Sequence, residues 1–456
     1  MPYQFPLHQL KEVLAANVIN LTDDILAKKA TKITTDTRSL SVGDVFVALR
    51  GEKFDGHNFV KIAIEKGAIA VITDRHTGIP IEDNIPQFQV DDTLQAYQTI
   101  AQCCRDQFNI PVIAVTGSVG KTTTKELIAA VLSTRGRVLK TQANYNNEIG
   151  VPKTLLELGA EDDYAVIEMA MRARGEIALL TNIAHPTIGV ITNVGTAHIG
   201  RLGSEEAIAQ AKCELLAEMS PTGVAILNND NKLLMQTAAT VWQGRTITYG
   251  LEGGDLHGEL IDSETLAVEG FKFSLPLAGR HNALNYLAAL AVAKMLEIDW
   301  SQIAAGINVN LPEGRSKRYE LANDVVILDE TYNAGLESMI AALHLLAQTP
   351  GKRHIGVLGT MKELGERSPE FHRRVGETAA KLNLDNLLIL VDDGEAEAIA
   401  VGAEGIPTER FATHAALVER LKEIVKEGDR ILFKASHSVG LDKVVNQFRT
   451  EVASSI

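Results

Sequence analysis

The stretch Ile110-Pro-Val-Ile-Ala-Val-Thr-Gly117, continued by Ser118-Val-Gly-Lys-Thr-Thr123, decides how this chain is read. Its first half is short, apolar, β-branched and closed by glycine, the pattern of a strand buried on both faces of a parallel sheet. From Thr122 to Thr134 the apolar residues Leu127, Ile128, Val131 and Leu132 recur at helical spacing. Strand, glycine turn and helix in that order make a phosphate loop. Backbone N–H groups of such a turn point inward, and the helix N-terminus adds favourable partial charge. Thr116, Gly117, Ser118, Val119, Gly120, Lys121, Thr122 and Thr123 are therefore the expected nucleotide-binding residues. Lys121 would reach the β- and γ-phosphates, and Thr122 would place its hydroxyl on magnesium. The spacing G-x-x-G-K-T is two residues shorter than the common form of this loop. A plain strand-to-helix turn that happens to carry lysine would leave the ordered set of features unexplained.

Outward from the loop, buried strands are expected at DDYAVIEMA (162–170), TIGVITNVG (187–195) and GVAILNND (223–230), with helices between them. This alternation predicts a doubly wound α/β sheet. Residues 246–277 alternate polar and apolar positions between turns and read as an antiparallel sheet annexed to that domain. The helix HNALNYLAALAVAKMLEI (281–298) and a shorter one near Trp300 follow. A second α/β unit starts near Leu311, with strands at VVILDE, RHIGVLG, NLLILV and RILFKAS. A smaller α/β segment with GDVFVAL and GAIAVIT precedes residue 110. We expect three domains: 1–109, 110–311 and 312–456.

The 456 residues are 45% hydrophobic and 22% charged, ordinary for a protein with real cores. The net charge of −14 argues against a nucleic-acid partner, which needs basic patches to neutralise phosphates. Cys103, Cys104 and Cys213 have no zinc or disulfide spacing and read as small packed hydrophobes. The N-terminal MPYQFPLHQLKEVL lacks a signal peptide's basic flank and apolar stretch. No apolar run approaches the roughly 20 residues of a membrane helix. A cytoplasmic protein without membrane insertion is expected, and a monomer.

Other residues narrow the chemistry. Glu168 ends a strand whose carboxyl edge would face the nucleotide, and a carboxylate there could hold magnesium. His198 follows the next strand. Taken alone, it reads as a satisfied structural histidine. Lys212, inside the helix SEEAIAQAKCELLAEM, reads on its own as a solvated surface group.

Together, TGSVGKTTTKE, NYNNEIGVP, EMA, NVGTAH, AKCELL and HNALNYLAAL resemble, in order, the central domain of the Mur ligases of peptidoglycan synthesis. TDTRSLSVGDVFVALRGEKFDGHNFVKIAIEKGA resembles that family's uridine-nucleotide-binding domain. LDETYNAGLES, GTMKELGE and FKASHS point to the branch that joins D-alanyl-D-alanine to UDP-N-acetylmuramoyl-tripeptide. The resemblance covers nearly the whole chain. It implies a UDP-sugar-binding N-domain, a central ATPase and a Rossmann-like C-domain that binds the incoming dipeptide. It implies ATP, magnesium and an acyl phosphate made from the tripeptide carboxylate, which the dipeptide amine then attacks.

Residue by residue, the resemblance gives Lys121 and Thr122 to the phosphates, and Thr122, Glu168, His198 and Lys212 to magnesium. Lys212 would act as a carbamate formed from carbon dioxide, and Lys121, Lys212, His198 and Arg315 would be the catalytic set. His281, Asn282 and Asn285 would hold the adenine. Arg315 would swing onto the ATP phosphates, with Asp329 completing the site. Thr37, Arg38, Gly56, His57 and Asn58 would hold the uridine end of the substrate, and Asn146 and Asn147 its sugar–peptide part. Tyr332, Asn333 and Ser338 would serve the second amino substrate. The chemistry would need the C-domain to close on the central domain, so without nucleotide Arg315 can lie far from the loop.

Four positions depart from the family pattern. Glu330 stands where a second aspartate is common, Gly335-Leu336 replaces Asn-Pro, Thr360 replaces aspartate, and His437 replaces arginine. These put dipeptide contacts in doubt, not the reaction class. Folylpolyglutamate synthetases share the short loop but lack a uridine domain. The ligase adding the third amino acid of the peptide carries a DNPR segment that is absent here. A kinase or a nucleotide-switched binding protein would also use a phosphate loop.

Overall fold

In the computed structural model, which describes residues 2–19, 22–75, 85–391 and 394–453, the apolar runs become strands of three sheets, giving a three-domain α/β architecture. The first sheet contains β1 (Asn17–Ile19), β2 (Ile33–Thr34), β3 (Val45–Val47), β4 (Ala70–Thr73) and β5 (Gln87–Gln89), in the order β1-β5-β4-β3-β2. β2 to β5 pair in parallel and β1 closes the edge antiparallel. The helix Thr93–Asp106 leads out of this sheet, and its Arg105 donates to the carbonyls of Ala184 and His185 at 3.0 and 3.1 Å. That side chain ties the first sheet's exit helix to the second unit.

The central sheet contains β6 (Val112–Thr116), β7 (Val138–Lys140), β8 (Tyr164–Glu168), β9 (Ile188–Ile191), β10 (Val224–Asn228), β11 (Arg245–Gly250), β12 (Leu256–Asp262), β13 (Thr265–Val268) and β14 (Phe271–Ser274). Their order is β14-β13-β12-β11-β10-β9-β6-β8-β7. β6, β8, β9 and β10 are buried along their whole length, as their unbroken apolar sequences require. The chain leaves β6 for β7 and β8 on one side and later β9 on the other. The carboxyl end of β6 is thus a topological switch point, where such sheets open a crevice. The helix Lys121–Leu132 packs Leu127, Ile128, Val131 and Leu132 against Ala283, Tyr286, Leu287 and Leu290 of the helix Arg280–Met295. That second helix is buried on nearly every side, which explains its uniformly apolar sequence.

Residues 246–277 differ in part from the expected antiparallel annex. β11 pairs in parallel with β10, and β12 begins in parallel with β11; only β12, β13 and β14 form an antiparallel meander. The segment extends the main sheet. Polar–apolar alternation reports which faces are covered, not which neighbour a strand pairs with.

The third sheet contains β15 (Lys317–Leu321), β16 (Val325–Asp329), β17 (Arg353–Leu358), β18 (Asn386–Leu390), β19 (Thr408–Phe411) and β20 (Asp429–Lys434), in the order β15-β16-β20-β17-β18-β19. Only β15, at one edge, is antiparallel. β7, β15 and β19 do not stand out in the sequence, because they are edge strands with half-buried, mixed polar residues. Cys104 and Cys213 are buried, and burial pushes both thiols up to about 12, so they are inert packing residues. Among the described residues no helix is long and apolar enough to cross a membrane.

Candidate active site

The loop between β6 and the helix Lys121–Leu132 is held open by backbone conformations that suit glycine. Gly117 has φ 152° and Gly120 φ 83°. A Cβ on Gly117 would lie 1.9 Å from Thr192 Oγ1, and one on Gly120 2.5 Å from Asn285 Oδ1. The loop is braced from β9 outward. Asn193 accepts from Ser118 N through its carbonyl and from Val119 N through Oδ1, both at 3.0 Å; Thr192 Oγ1 donates to the Val119 carbonyl at 2.7 Å. Gly195 N donates to Ser118 Oγ at 2.9 Å. Gly117→Ala is therefore expected to lose about 1–3 kcal/mol of stability, the range for overpacking, and to gain no Tm from a nucleoside diphosphate that should raise the Tm of the native chain. A thermal shift with and without ADP checks both.

Lys121 folds back on its own loop, with Nζ 2.7 Å from the Gly117 carbonyl and 3.2 Å from that of Ser118. Burial pushes its amine down to about 8; Glu168 opposes the shift and the Arg315 guanidinium adds to it. Arg315 is thus within electrostatic reach of the phosphate loop, not far from it, and the C-terminal sheet already sits over the crevice. Its guanidinium lies 3.8 Å over the Tyr332 ring, which stacks in turn on His437 with centroids 5.6 Å apart. Arg315 Nε is buried and has no hydrogen-bond acceptor among the described residues.

Glu168, at the carboxyl end of β8, is buried. Its Oε1 accepts from Asn146 Nδ2 at 2.8 Å; its Oε2 is buried without a hydrogen bond, 3.7 Å from Lys125 Nζ. His198 has Nδ1 2.6 Å from Glu363 Oε2. Burial and Lys121 push its imidazole down against Glu363, and Lys212 adds to the push.

Lys212 is 1% exposed, so its helix carries it inward, and the surface reading of this residue is wrong. Burial, then Lys121, pushes its amine well below the usual lysine range. It has no hydrogen-bond or ion-pair acceptor among the described residues, so nothing offsets the cost of burying its charged form. Lys121, His198 and Lys212 therefore lie within mutual electrostatic reach, with Glu168 and Arg315 each acting on Lys121. Among the described residues no three His, Cys, Asp or Glu side chains cluster as a ready-made metal site. The Glu168 oxygen that accepts no hydrogen bond among the described residues nonetheless fits a hard cation that takes its remaining ligands from a nucleotide.

Thr122 and Thr123 open the loop's helix and are buried. On the opposite helix, Asn285 Oδ1 accepts from Thr124 Oγ1 at 3.2 Å, its Nδ2 donates to Asn282 Oδ1 at 3.4 Å, and Asn282 Nδ2 donates to the Ala278 carbonyl at 2.9 Å. These two asparagines thus brace the phosphate loop. His281 beside them is pushed down by burial, against the pull of Glu330. Asp329 ends β16; burial pushes its carboxyl up against hydrogen bonds from Thr331, whose hydroxyl lies 2.6 Å away.

The residues expected at the uridine end lie on the first sheet, beside the segment that follows β7. Arg38 clamps Asp36 with bonds of 2.9 and 2.7 Å and holds that carboxyl at about 2, with Lys153 contributing. Lys153 lies 3.8 Å over the Tyr145 ring, so Arg38, Tyr145 and Lys153 share one polar surface. The Thr37 carbonyl takes Lys66 Nζ at 2.7 Å. Gly56 approaches the Leu49 carbonyl too closely for any side chain, and Asn58 is exposed. His57 is buried between Asp55, 2.7 Å from Nδ1, and Asp74, whose N–H reaches Nε2 at 3.2 Å. Both its nitrogens are engaged inside its own sheet.

Two expected substrate residues bond locally at helix N-termini: Asn147 Oδ1 accepts from Gly150 N at 2.9 Å, and Ser338 Oγ, in the first turn of its helix, accepts from Gly335 N at 3.1 Å. The Asn333 side chain is exposed, while its carbonyl takes Lys434 Nζ at 2.9 Å. Lys434, buried near Arg315, Asp329 and Glu330, has no assigned role in the sequence reading. A charge inside the apolar strand RILFKAS is the signal that could have found it. Lys125, buried beside Glu126 and Glu168, was likewise hidden in a helix pattern.

Three family models match the chain: "Mur ligase family, catalytic domain" over 29–105, "Mur ligase middle domain" over 115–293 and "Mur ligase, glutamate ligase domain" over 314–437. The chain is similar to a Synechocystis protein named UDP-N-acetylmuramoyl-tripeptide–D-alanyl-D-alanine ligase, 59% identical over 99% of this chain and 98% of that one. It is similar to the MurF crystal structure from Acinetobacter baumannii, with TM-score 0.88, 31% identity and coverage of 98% and 99%. MurF from Thermotoga maritima in complex with ADP gives TM-score 0.84 and 31% identity over 96% and 100%.

Proposed function

The chain belongs to the Mur ligase family, and from that premise we propose the reaction its site supports best. It is an ATP-dependent ligase that forms a C–N bond between the carboxylate of UDP-N-acetylmuramoyl-tripeptide and the amine of D-alanyl-D-alanine, in peptidoglycan precursor synthesis. The observation that carries this reading is the convergence of Lys121, His198, Lys212 and Arg315 where the central and C-terminal sheets meet.

A carboxylate is a poor acyl donor until its oxygen becomes a good leaving group. One carboxylate oxygen attacks the γ-phosphorus of ATP and ADP leaves. The dipeptide amine then attacks the acyl carbon, loses a proton, and inorganic phosphate departs. Lys121 and Arg315 put positive charge where negative charge develops on the transferred group. Tyr332 holds the Arg315 guanidinium flat against it. Closure of the C-terminal unit also keeps water from the acyl phosphate.

Domains 1–109, 110–311 and 312–456 carry the UDP-sugar, ATP and dipeptide sites respectively. Thr37, Arg38, Gly56, His57 and Asn58 serve the uridine end, and Asn146 and Asn147 the sugar–peptide part. His281, Asn282, Asn285 and Asp329 serve ATP, and Tyr332, Asn333 and Ser338 the dipeptide. Asn147, His57 and Ser338 act through the backbone and network they fix, since their side-chain bonds are local.

Thr122, Glu168 and His198 would hold magnesium, which would neutralise charge on the phosphates. Lys212 completes that set as a carbamate: its neutral Nζ attacks the carbon of CO2, an N–C bond forms and a proton leaves to solvent. Its depressed amine supports this, because only the unprotonated form is a nucleophile. We assign the enzyme to the cytoplasm, where ATP and UDP-linked sugars are consumed.

Mass spectrometry of products from ATP, UDP-muramoyl-tripeptide and D-alanyl-D-alanine tests the reaction. The expected result is a joined pentapeptide product with ADP and free phosphate, and steady turnover only with both acceptors present. A stable phosphorylated product would replace ligase by kinase. Arg315→Lys tests the stack: a lysine cannot lie flat on Tyr332, and kcat should fall roughly tenfold while KM for the uridine substrate holds.

A further inference from the structure

The central and C-terminal sheets meet at a seam in which Glu363 has no task in the reaction as described. On one side runs the loop after β9, through Thr196 and His198 to Gly200; on the other, the loop after β17, through Glu363 to Gly365. A Cβ at Gly200 would come within 2.6 Å of Gly365 N, and one at Gly365 within 2.8 Å of Gly200 Cα. Two glycines are needed for backbones to approach so closely. Next to them, His198 and Glu363 both take positive φ, 66° and 65°, which non-glycine residues rarely adopt.

Such conformations persist where the surroundings over-determine them, and they collect at functional sites. Here the result is one contact, the 2.6 Å approach of His198 Nδ1 to Glu363 Oε2. The other carboxylate oxygen accepts from Arg201 Nη2 at 3.1 Å, and the Glu363 carbonyl accepts from Gly200 N at 3.2 Å. A second clasp lies alongside, with Thr196 N and Oγ1 donating to Glu337 at 2.8 and 3.2 Å.

We propose that Glu363 is a positioning residue for His198, delivered by the C-terminal sheet, so that the imidazole offers Nε2 to the phosphate side only when the two sheets are together. The inference rests on the reading of His198 as a magnesium-site residue given above. A carboxylate accepting at Nδ1 keeps the proton there, leaves the lone pair on Nε2 and makes that nitrogen the better donor to a cation. Arg201 holds the carboxylate in place. Closure and cation binding are then linked, and each strengthens the other by the same factor.

The test is Mn2+ binding to the full-length enzyme with ADP, read from the electron paramagnetic resonance of free Mn2+, in the native protein, Glu363→Ala, His198→Ala and the double variant. Glu363→Ala should weaken Mn2+ about tenfold or more, the range for losing a carboxylate behind a metal-binding histidine. The double variant should be no weaker than His198→Ala alone, because a residue acting through His198 has nothing left to position. Unchanged affinity in Glu363→Ala beside a weakened His198→Ala overturns the positioning role and leaves the magnesium-site reading intact. A Glu363 loss that adds in full to that of His198→Ala also overturns it, marking Glu363 as seam packing alone. Unchanged affinity in His198→Ala overturns the magnesium-site reading itself, and this inference with it.

Discussion

Lys121→Ala is expected to lower kcat by on the order of a hundredfold or more, the usual loss when a preorganised charge at a transferring group is removed. The loss should fall on turnover, because the amine's pull grows as charge develops on the phosphoryl group. Phosphate release with both substrates saturating measures it, and near-normal turnover would remove Lys121 from the mechanism. The native enzyme should also show a pH limb. With the free-enzyme amine at about 8, Lys121 is charged below that pH and neutral above it. As the charged form is the useful one, kcat/KM for ATP should fall as pH rises through about 8. Lys121→Arg, which stays protonated, should flatten that limb.

Lys212→Ala is expected to be nearly inactive, and added short carboxylic acids should restore part of the activity. The native side chain is buried, without an acceptor among the described residues, and burial pushes its amine down. A neutral buried amine can take up CO2, and the resulting carboxylate-like group is what formate or acetate could imitate in the space left by alanine. Stripping CO2 and bicarbonate from the native enzyme should lower its rate, and returning them should restore it. Full activity in Lys212→Ala would leave the buried lysine as packing. The comparison needs an unchanged cooperative melt, since truncating a buried side chain can itself destabilise a protein.

Much of this was legible in the residues. β6, its glycine turn and the helix after it follow from β-branched apolar sequence, two glycines and helical spacing, all of which act within a few residues. The buried strands β8, β9, β10, β16, β17, β18 and β20 were visible for the same reason: a strand covered on both faces carries a continuous apolar run along most of its length. The edge strands β7, β15 and β19 were not, because half-covered strands carry mixed residues. The resemblance of ordered motifs to the Mur ligases singled out Lys212, which as a lysine in a helix read on its own as a solvated surface group.

Tertiary structure decided which side chains meet. His198 and Glu363 are 165 positions apart, and Thr196 and Glu337 are 141 apart, so no local pattern could pair them. The burial of Lys125, Lys212 and Lys434 likewise depends on what packs over them. The Asn147 and Ser338 side chains turned out to bond locally at helix N-termini, which their motif position obscured. Local sequence fixes backbone conformation through sterics and short-range hydrogen bonds. The charge state and partner of a side chain depend on desolvation and on charges brought in from distant segments, and those exist only once the sheets have closed on one another.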